Sequence, residues 1–176
     1  MKILHVQKMI VMLLGLFPIF LFAEQSPEPP LKAVRYVFLF IGDGMGKAHR
    51  AAAEAYALKT TGKGLAINAM PHQAEMTTFA ANNPVTDSAA SGTAIASGTK
   101  TNIWYIGMSP DGKPLDSIAI SAKRAGKKVA ILSSKNLNDA TPAAFYAHSR
   151  SRSNLYEIGL ELINSDFDFW GGGGIL

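Results

Sequence analysis

An α/β domain, with a mostly parallel sheet and helices on both faces, is the architecture implied by the order of apolar runs in this 176-residue chain. Three observations carry it. Residues 34–41, VRYVFLFI, form an unbroken apolar run rich in β-branched and aromatic side chains, the pattern of a strand covered on both faces. Strand-like runs then alternate with helix-forming segments, which is the order of successive βα units. Finally, a composition of 48% hydrophobic and 17% charged residues supplies enough apolar material for one globular core.

Ahead of the first run, Lys2 and Lys8 precede an apolar stretch from Met9 to Phe22, followed by Ala23 and the polar EQSPEPP. A basic start, an apolar middle and a small residue at the cleavage point predict an export signal over residues 1–23, with 24–33 as an extended linker. The stretch falls short of the roughly 20 apolar residues a membrane span needs, and Pro18 interrupts it. The expectation is therefore an exported protein, periplasmic or extracellular, without stable membrane insertion once the signal is cleaved. An uncleaved anchor is the alternative. The chain has no cysteine, so outside the cell it relies on packing and metals instead of disulfides. Its formal charge of +4 falls by two if the signal lysines are lost. No basic run interleaves with aromatics, which excludes a nucleic-acid partner. Lys123, Arg124, Lys127 and Lys128 read as the solvated end of a helix, where the helix dipole favours cations.

The strand over 34–41 ends at GDGMG, and KAHRAAAEAYALK (47–59) follows with strong helix formers until TGKG stops it. AEMTTFA (74–80) predicts a second strand, and SAASGTAIASG (88–98) a helix made almost wholly of small residues. Pro110, Asp111 and Gly112 signal a turn, so 102–115 reads as a short hairpin or loop. A helix over 115–126 leads to a strand over 127–134, helices follow over 141–149 and 154–165, and FDFWGGGGIL (167–176) reads as a strand entering a glycine turn. No crossover helix follows that turn, so the expected fold is a longer architecture cut short. In an open sheet the ligand lies beyond the carboxyl ends of the strands, which turns Asp43, Asp139 and the Gly171–Gly174 turn toward one crevice.

Asp43 stands between glycines that allow a sharp turn and close approach, so its carboxylate is either a hard oxygen ligand or the solvated residue of a tight turn. Phosphate-cradling loops are excluded: Ile41 and Ala48 break the Walker spacing, and Lys47 breaks a dinucleotide fingerprint starting at Gly42. Ser88 can serve as a helix N-cap. A cap does not explain why residues 89–94 are all small, which lets the helix start lie in a crowded site with its amides open to an anion. Ser88 would need a base or a metal to become a nucleophile, and no histidine lies near it in sequence. Thr141, ahead of Pro142, suits a helix start. With Asp139 it also offers two oxygens of the kind magnesium accepts. Arg152 can clamp two phosphate oxygens in a geometry lysine lacks. His49, His72 and His148 read as structural histidines.

FIGDGMG, VTDSAASGTA and DATPAAFYAHSRSR, in this order, resemble the signatures of the alkaline phosphatase family, and with their surroundings they cover most of residues 34–176. The resemblance implies an alkaline-phosphatase-like sandwich that hydrolyses small phosphate monoesters through a phosphoserine, with two zinc ions, one magnesium ion and a homodimeric assembly. Ser88 would be the nucleophile and touch the second zinc. Asp43 would bridge that zinc and the magnesium, Asp139 and Thr141 would be magnesium ligands, and Arg152 would bind phosphate. Many members carry histidine where Asp139 stands, so this chain resembles the branch that favours magnesium there. The remaining zinc ligands of the family come from the part of the fold beyond the glycine turn, so this polypeptide alone is expected to have little turnover. Two other readings stay open: a non-catalytic exported module that binds metal or phosphate, and a phosphodiesterase or sulfatase sharing the same crevice. The Asp87-Ser88-Ala89 context favours the monoesterase.

Overall fold

A computed structural model describes residues 34–176. The expected signal (1–23) and linker (24–33) lie outside the described residues. Residues 34–40 belong to a unit separate from 41–176, form no regular element and are exposed. The strand expected over 34–41 is thus absent, and so is the one over 74–80. Apolar content makes a segment competent for a sheet, but the strand exists only where a neighbour accepts its hydrogen bonds.

Within 41–176, α1 (Lys47–Thr61) ends on Gly62, whose φ of 70° places it in the left-handed region while its N–H donates to the Leu58 carbonyl. Below it Glu54 accepts from the Leu65 N–H at 2.6 Å and the Asn68 amide at 2.8 Å, holding a short 3₁₀ turn over Ala66–Ala69. Helix α2 (Ser88–Ser97) begins on Asp87, whose Oδ1 accepts the Ala90 N–H at 2.9 Å, and stops at Gly98. Helix α3 (Ile118–Arg124) begins on Ser117, whose hydroxyl accepts from the Ile120 N–H and donates to the buried Phe145 carbonyl at 2.6 Å. After β1 (Ala130–Leu132) come α4 (Ala140–Ala143), α5 (Leu155–Asn164) and β2 (Phe169–Gly171). Strands β1 and β2 pair in parallel, with Ala130 opposite Phe169 and Leu132 opposite Gly171, so the chain crosses over through α4 and α5 as a parallel pair requires. The α/β architecture with a parallel sheet is the one expected from sequence.

Two apolar clusters hold this body together. In one, Ala89, Ala140, Ala143 and Ala147 pack with Ile106, Ile158 and Leu162. In the other, Ala96 and Ala144 meet Val129 and Phe145. Small residues let α2 and α4 approach closely: a Cβ added to Gly92 would lie 3.1 Å from the Ala144 Cβ and 3.6 Å from the Thr141 Cα. Trp170 caps the cluster, edge-on to Tyr146 at 5.0 Å and stacked on Phe167 at 5.7 Å. Lys123 departs from the expectation of a solvated helix end. Its side chain is only 19% exposed, and with Lys128 and the Val129 N–H it grips Asp168, holding that carboxyl well below the usual range. No described helix is long and apolar enough to cross a membrane.

Candidate active site

The site begins at the start of α2. Asp87 has an extended backbone, so its side chain can fold back on the helix it caps. One carboxylate oxygen takes the Ala90 N–H, and the other takes the Trp104 N–H at 3.2 Å. That leaves Ser88 as the first helical residue, half-buried, and its hydroxyl donates to Asp43 Oδ1 at 3.1 Å. The other oxygen of Asp43 accepts the Thr141 hydroxyl at 2.7 Å. One carboxylate therefore joins residues that lie 45 and 98 positions away in sequence.

The second group is built around Arg152. The Ile106 and Ser149 backbones exchange two hydrogen bonds of 2.8 Å, and the Gly107 N–H donates to the buried Thr93 hydroxyl of α2 at 2.9 Å. Gly107 has φ 56°, and any Cβ there would strike the Ala147 carbonyl, so glycine is required for this close approach. The bridge fixes the segment that carries Arg152. Its guanidinium lies 3.1 Å from Asp139 Oδ1 and 3.5 Å from Asp87 Oδ2, all three side chains being roughly three-quarters covered. Asp139 also accepts the Ala140 N–H at 2.8 Å, while Lys135 stands 3.8 Å from its other oxygen and is largely solvated.

Asp43, Ser88, Asp139, Thr141 and Arg152 thus converge, although they come from four separate stretches of chain. Asp139, not Thr141, caps α4; its charged oxygen reaches the first amide while the threonine hydroxyl turns to Asp43. His148 lies apart. Its Nδ1 meets Glu161 at 3.0 Å, its Nε2 meets the Leu115 carbonyl at 3.1 Å, and the Glu161 hydrogen bond pushes its pKa up. His49 and His72 are exposed. Asp87 does more than the sequence announced, because it caps α2, holds the Trp104 backbone and faces Arg152. No sequence signal marks Trp104.

Carboxylates outnumber cations here. Asp87 and Asp139 face one guanidinium and one distant lysine, and Asp43 adds a third carboxylate next to Ser88 and Thr141, a balance that repels a phosphate dianion unless a divalent cation joins them. The carboxylate of Asp43, with the Ser88 and Thr141 hydroxyls each within hydrogen-bond distance of it and Asp139 beside Arg152, suits magnesium, which uses one or two carboxylates and keeps several waters. These groups do not suit zinc. A catalytic zinc usually has three protein ligands and favours nitrogen and sulfur, whereas the chain lacks cysteine and His148 is engaged elsewhere. Among the described residues no group of three or more His, Cys, Asp or Glu side chains could hold a metal ion.

Comparison with known proteins adds the following. The family model described as alkaline phosphatase matches residues 34–164. The chain is 36% identical over 138 residues to alkaline phosphatase 4 of Bacillus subtilis, covering 71% of this chain and 28% of that protein. It is 39% identical over 127 residues to the alkaline phosphatase of Escherichia coli, covering 69% and 27%. Among solved structures it resembles a histidine-to-aspartate mutant of TAB5 alkaline phosphatase with magnesium bound in its M3 site, at a TM-score of 0.63 and 31% identity over 70% of this chain and 36% of that one. The chain spans less than a third of the length of these curated relatives.

Proposed function

The chain belongs to the alkaline phosphatase family, and from that premise we propose that it carries the phosphate-accepting part of an exported enzyme hydrolysing small phosphate monoesters. Ser88 is the nucleophile, Arg152 the phosphate clamp, and Asp43, Asp139 and Thr141 the oxygen donors to magnesium. The observation that supports this reading is the double hydrogen bond at Asp43, which brings two hydroxyls and a carboxylate to one point beside the start of α2. The TAB5 mutant, with an aspartate in place of a histidine and magnesium in its M3 site, supports magnesium as the cation for an aspartate-bearing site.

The chemistry follows from where these groups lie. Arg152, held between Asp87 and Asp139, presents its remaining N–H donors to two oxygens of the phosphoryl group and offsets their charge. Bound magnesium supplies the positive charge that lets a dianion enter among carboxylates and favours the ionised form of a nearby hydroxyl. The Ser88 hydroxyl points its proton at Asp43, which leaves its oxygen lone pairs free to attack phosphorus in line with the departing ester oxygen. The Ser88 Oγ–P bond forms as the ester P–O bond breaks, and the serine proton passes through water to the leaving alkoxide. A second water then cleaves the phosphoserine, releasing inorganic phosphate and restoring the hydroxyl. A second reading is a non-catalytic exported module binding magnesium or phosphate. Export itself rests on residues 1–23, and homodimerisation on the family alone.

The test is release of phosphate from a chromogenic monoester with zinc and magnesium added, together with mass spectrometry of the acid-quenched protein. Phosphate covalently on Ser88, abolished in Ser88→Ala, is the expected result. Robust turnover lost in Ser88→Ala would show that the zinc shortfall is not limiting. Turnover that survives Ser88→Ala, or no labelling despite phosphate binding, would remove the nucleophile and leave the binding module.

A further inference from the structure

We propose that Trp104 selects the leaving group, as an aromatic platform that favours monoesters whose alcohol carries an aromatic ring; this rests on the reading of Ser88 and Arg152 as the phosphate site. The first support is the backbone. Trp104 has φ 75°, the one non-glycine residue with positive φ among the described residues. A bulky side chain is rare in that region, and glycine makes such a turn without strain. The turn is nonetheless fixed on every side: the Trp104 N–H is held by Asp87, the Ile103 N–H donates to Asn82 Oδ1 at 2.9 Å, and the Tyr105 N–H to the Asn102 carbonyl at 3.2 Å. Strain kept in place by such a network at the edge of a site points to a use for the side chain.

The second support is what the indole does not do. Trp170 is packed between Tyr146 and Phe167 and belongs to the core. Trp104 stacks on no aromatic ring among the described residues, and it is 49% exposed. It belongs to neither apolar cluster.

The third support is position. Trp104 lines a hollow of about 420 Å³ together with Asp87, Arg152, Ser153 and Leu155. The indole and Leu155 supply its apolar wall, and the guanidinium proposed to bind phosphate opens into it. An ester held by Arg152 next to Ser88 would place its substituent in this hollow, against the indole. Offset or edge-on stacking of one ring on a tryptophan corresponds to a preference of about threefold to tenfold over an alkyl group.

The experiment uses the full chain with magnesium chloride and compares binding of phenyl phosphate, methyl phosphate and inorganic phosphate by NMR, following the two indole N–H signals. Trp104→Gly assigns one signal and suits the positive φ, so its fold is retained; Trp104→Phe keeps a ring. The expected result is a phenyl over methyl preference of about threefold to tenfold in the wild type, kept in Trp104→Phe and lost in Trp104→Gly, with the Trp104 indole signal shifted only by the phenyl ester. If the wild type binds inorganic phosphate but Trp104→Gly keeps the full preference, this inference fails and the phosphate site stands. If the wild type does not bind inorganic phosphate, the site itself is wrong and the inference falls with it.

Discussion

Helix α1 runs for 15 residues and buries none of them, whereas α2 runs for 10 and buries five. Both are rich in alanine, yet they persist for different reasons. α1 draws on local terms: strong helix formers, a left-handed glycine stop and threonine hydroxyls bonding back to the Tyr56 and Ala57 carbonyls. An isolated helix of that length is marginal in water. α2 contains weaker formers such as serine, threonine and glycine, but a charged cap and close contact with α4 compensate for them. Packing, and not propensity, therefore fixes the helix that carries Ser88.

Substitutions can sharpen or break this contrast. The largest effect is expected at the α2–α4 contact, where Gly92→Leu forces side-chain atoms into Ala144 and the Thr141 backbone. It should cost about 2–3 kcal/mol in urea unfolding, while Ala53→Leu on the exposed face of α1 stays within about 0.5 kcal/mol. Equal losses at the two positions would show that α1 packs as α2 does. Next comes Asp87→Ala, which removes the cap of α2 together with its bonds to Trp104 and Arg152. A loss of about 1–2 kcal/mol is expected, with faster amide exchange at Ala90 first; unchanged exchange there would show that packing alone holds the helix start. The smallest effect is a gain. α1 begins on Gly46, which has extended dihedrals and no side-chain cap, and an added Cβ there meets only His49 at 3.7 Å. Gly46→Ser should stabilise by a few tenths of a kcal/mol, visible as more helical circular dichroism. No gain would mean that something other than its local terms limits α1.

Much of this was readable in the chain because it is local. The glycine stop at Gly62 and the small-residue run of α2 are local signals, and α1, α2 and α3 appear within a few residues of where the sequence places them, although the cap of α2 is Asp87 and not Ser88, because the charged oxygen of Asp87 reaches the Ala90 amide. The strands over 34–41 and 74–80 did not follow, since a ladder depends on a distant partner and not on the apolar run itself. The reason for the small residues of α2 was half legible. They were expected to make room at the helix start for an anion, and the structure shows Gly92 and its neighbours making room for α4 as well. The three motifs name residues that the structure brings together, but they do not indicate that one carboxylate takes both hydroxyls or that Arg152 is shared between two aspartates. Trp104 was invisible because nothing in the residue type announces a left-handed backbone.

Asp43 sits in an exposed glycine turn whose own bonds, from Met45 to Gly42 and from Gly46 to Gly44, are purely local, so beyond the packing of Ile41 its two hydroxyl partners are what tie it to the packed body. Such a tether can slip while the helices behind it stay intact, since solvent-facing segments open at far lower free energy than a core. Warming the protein should therefore free Asp43 from Ser88 and Thr141 before the fold itself gives way, with the contacts restored on cooling.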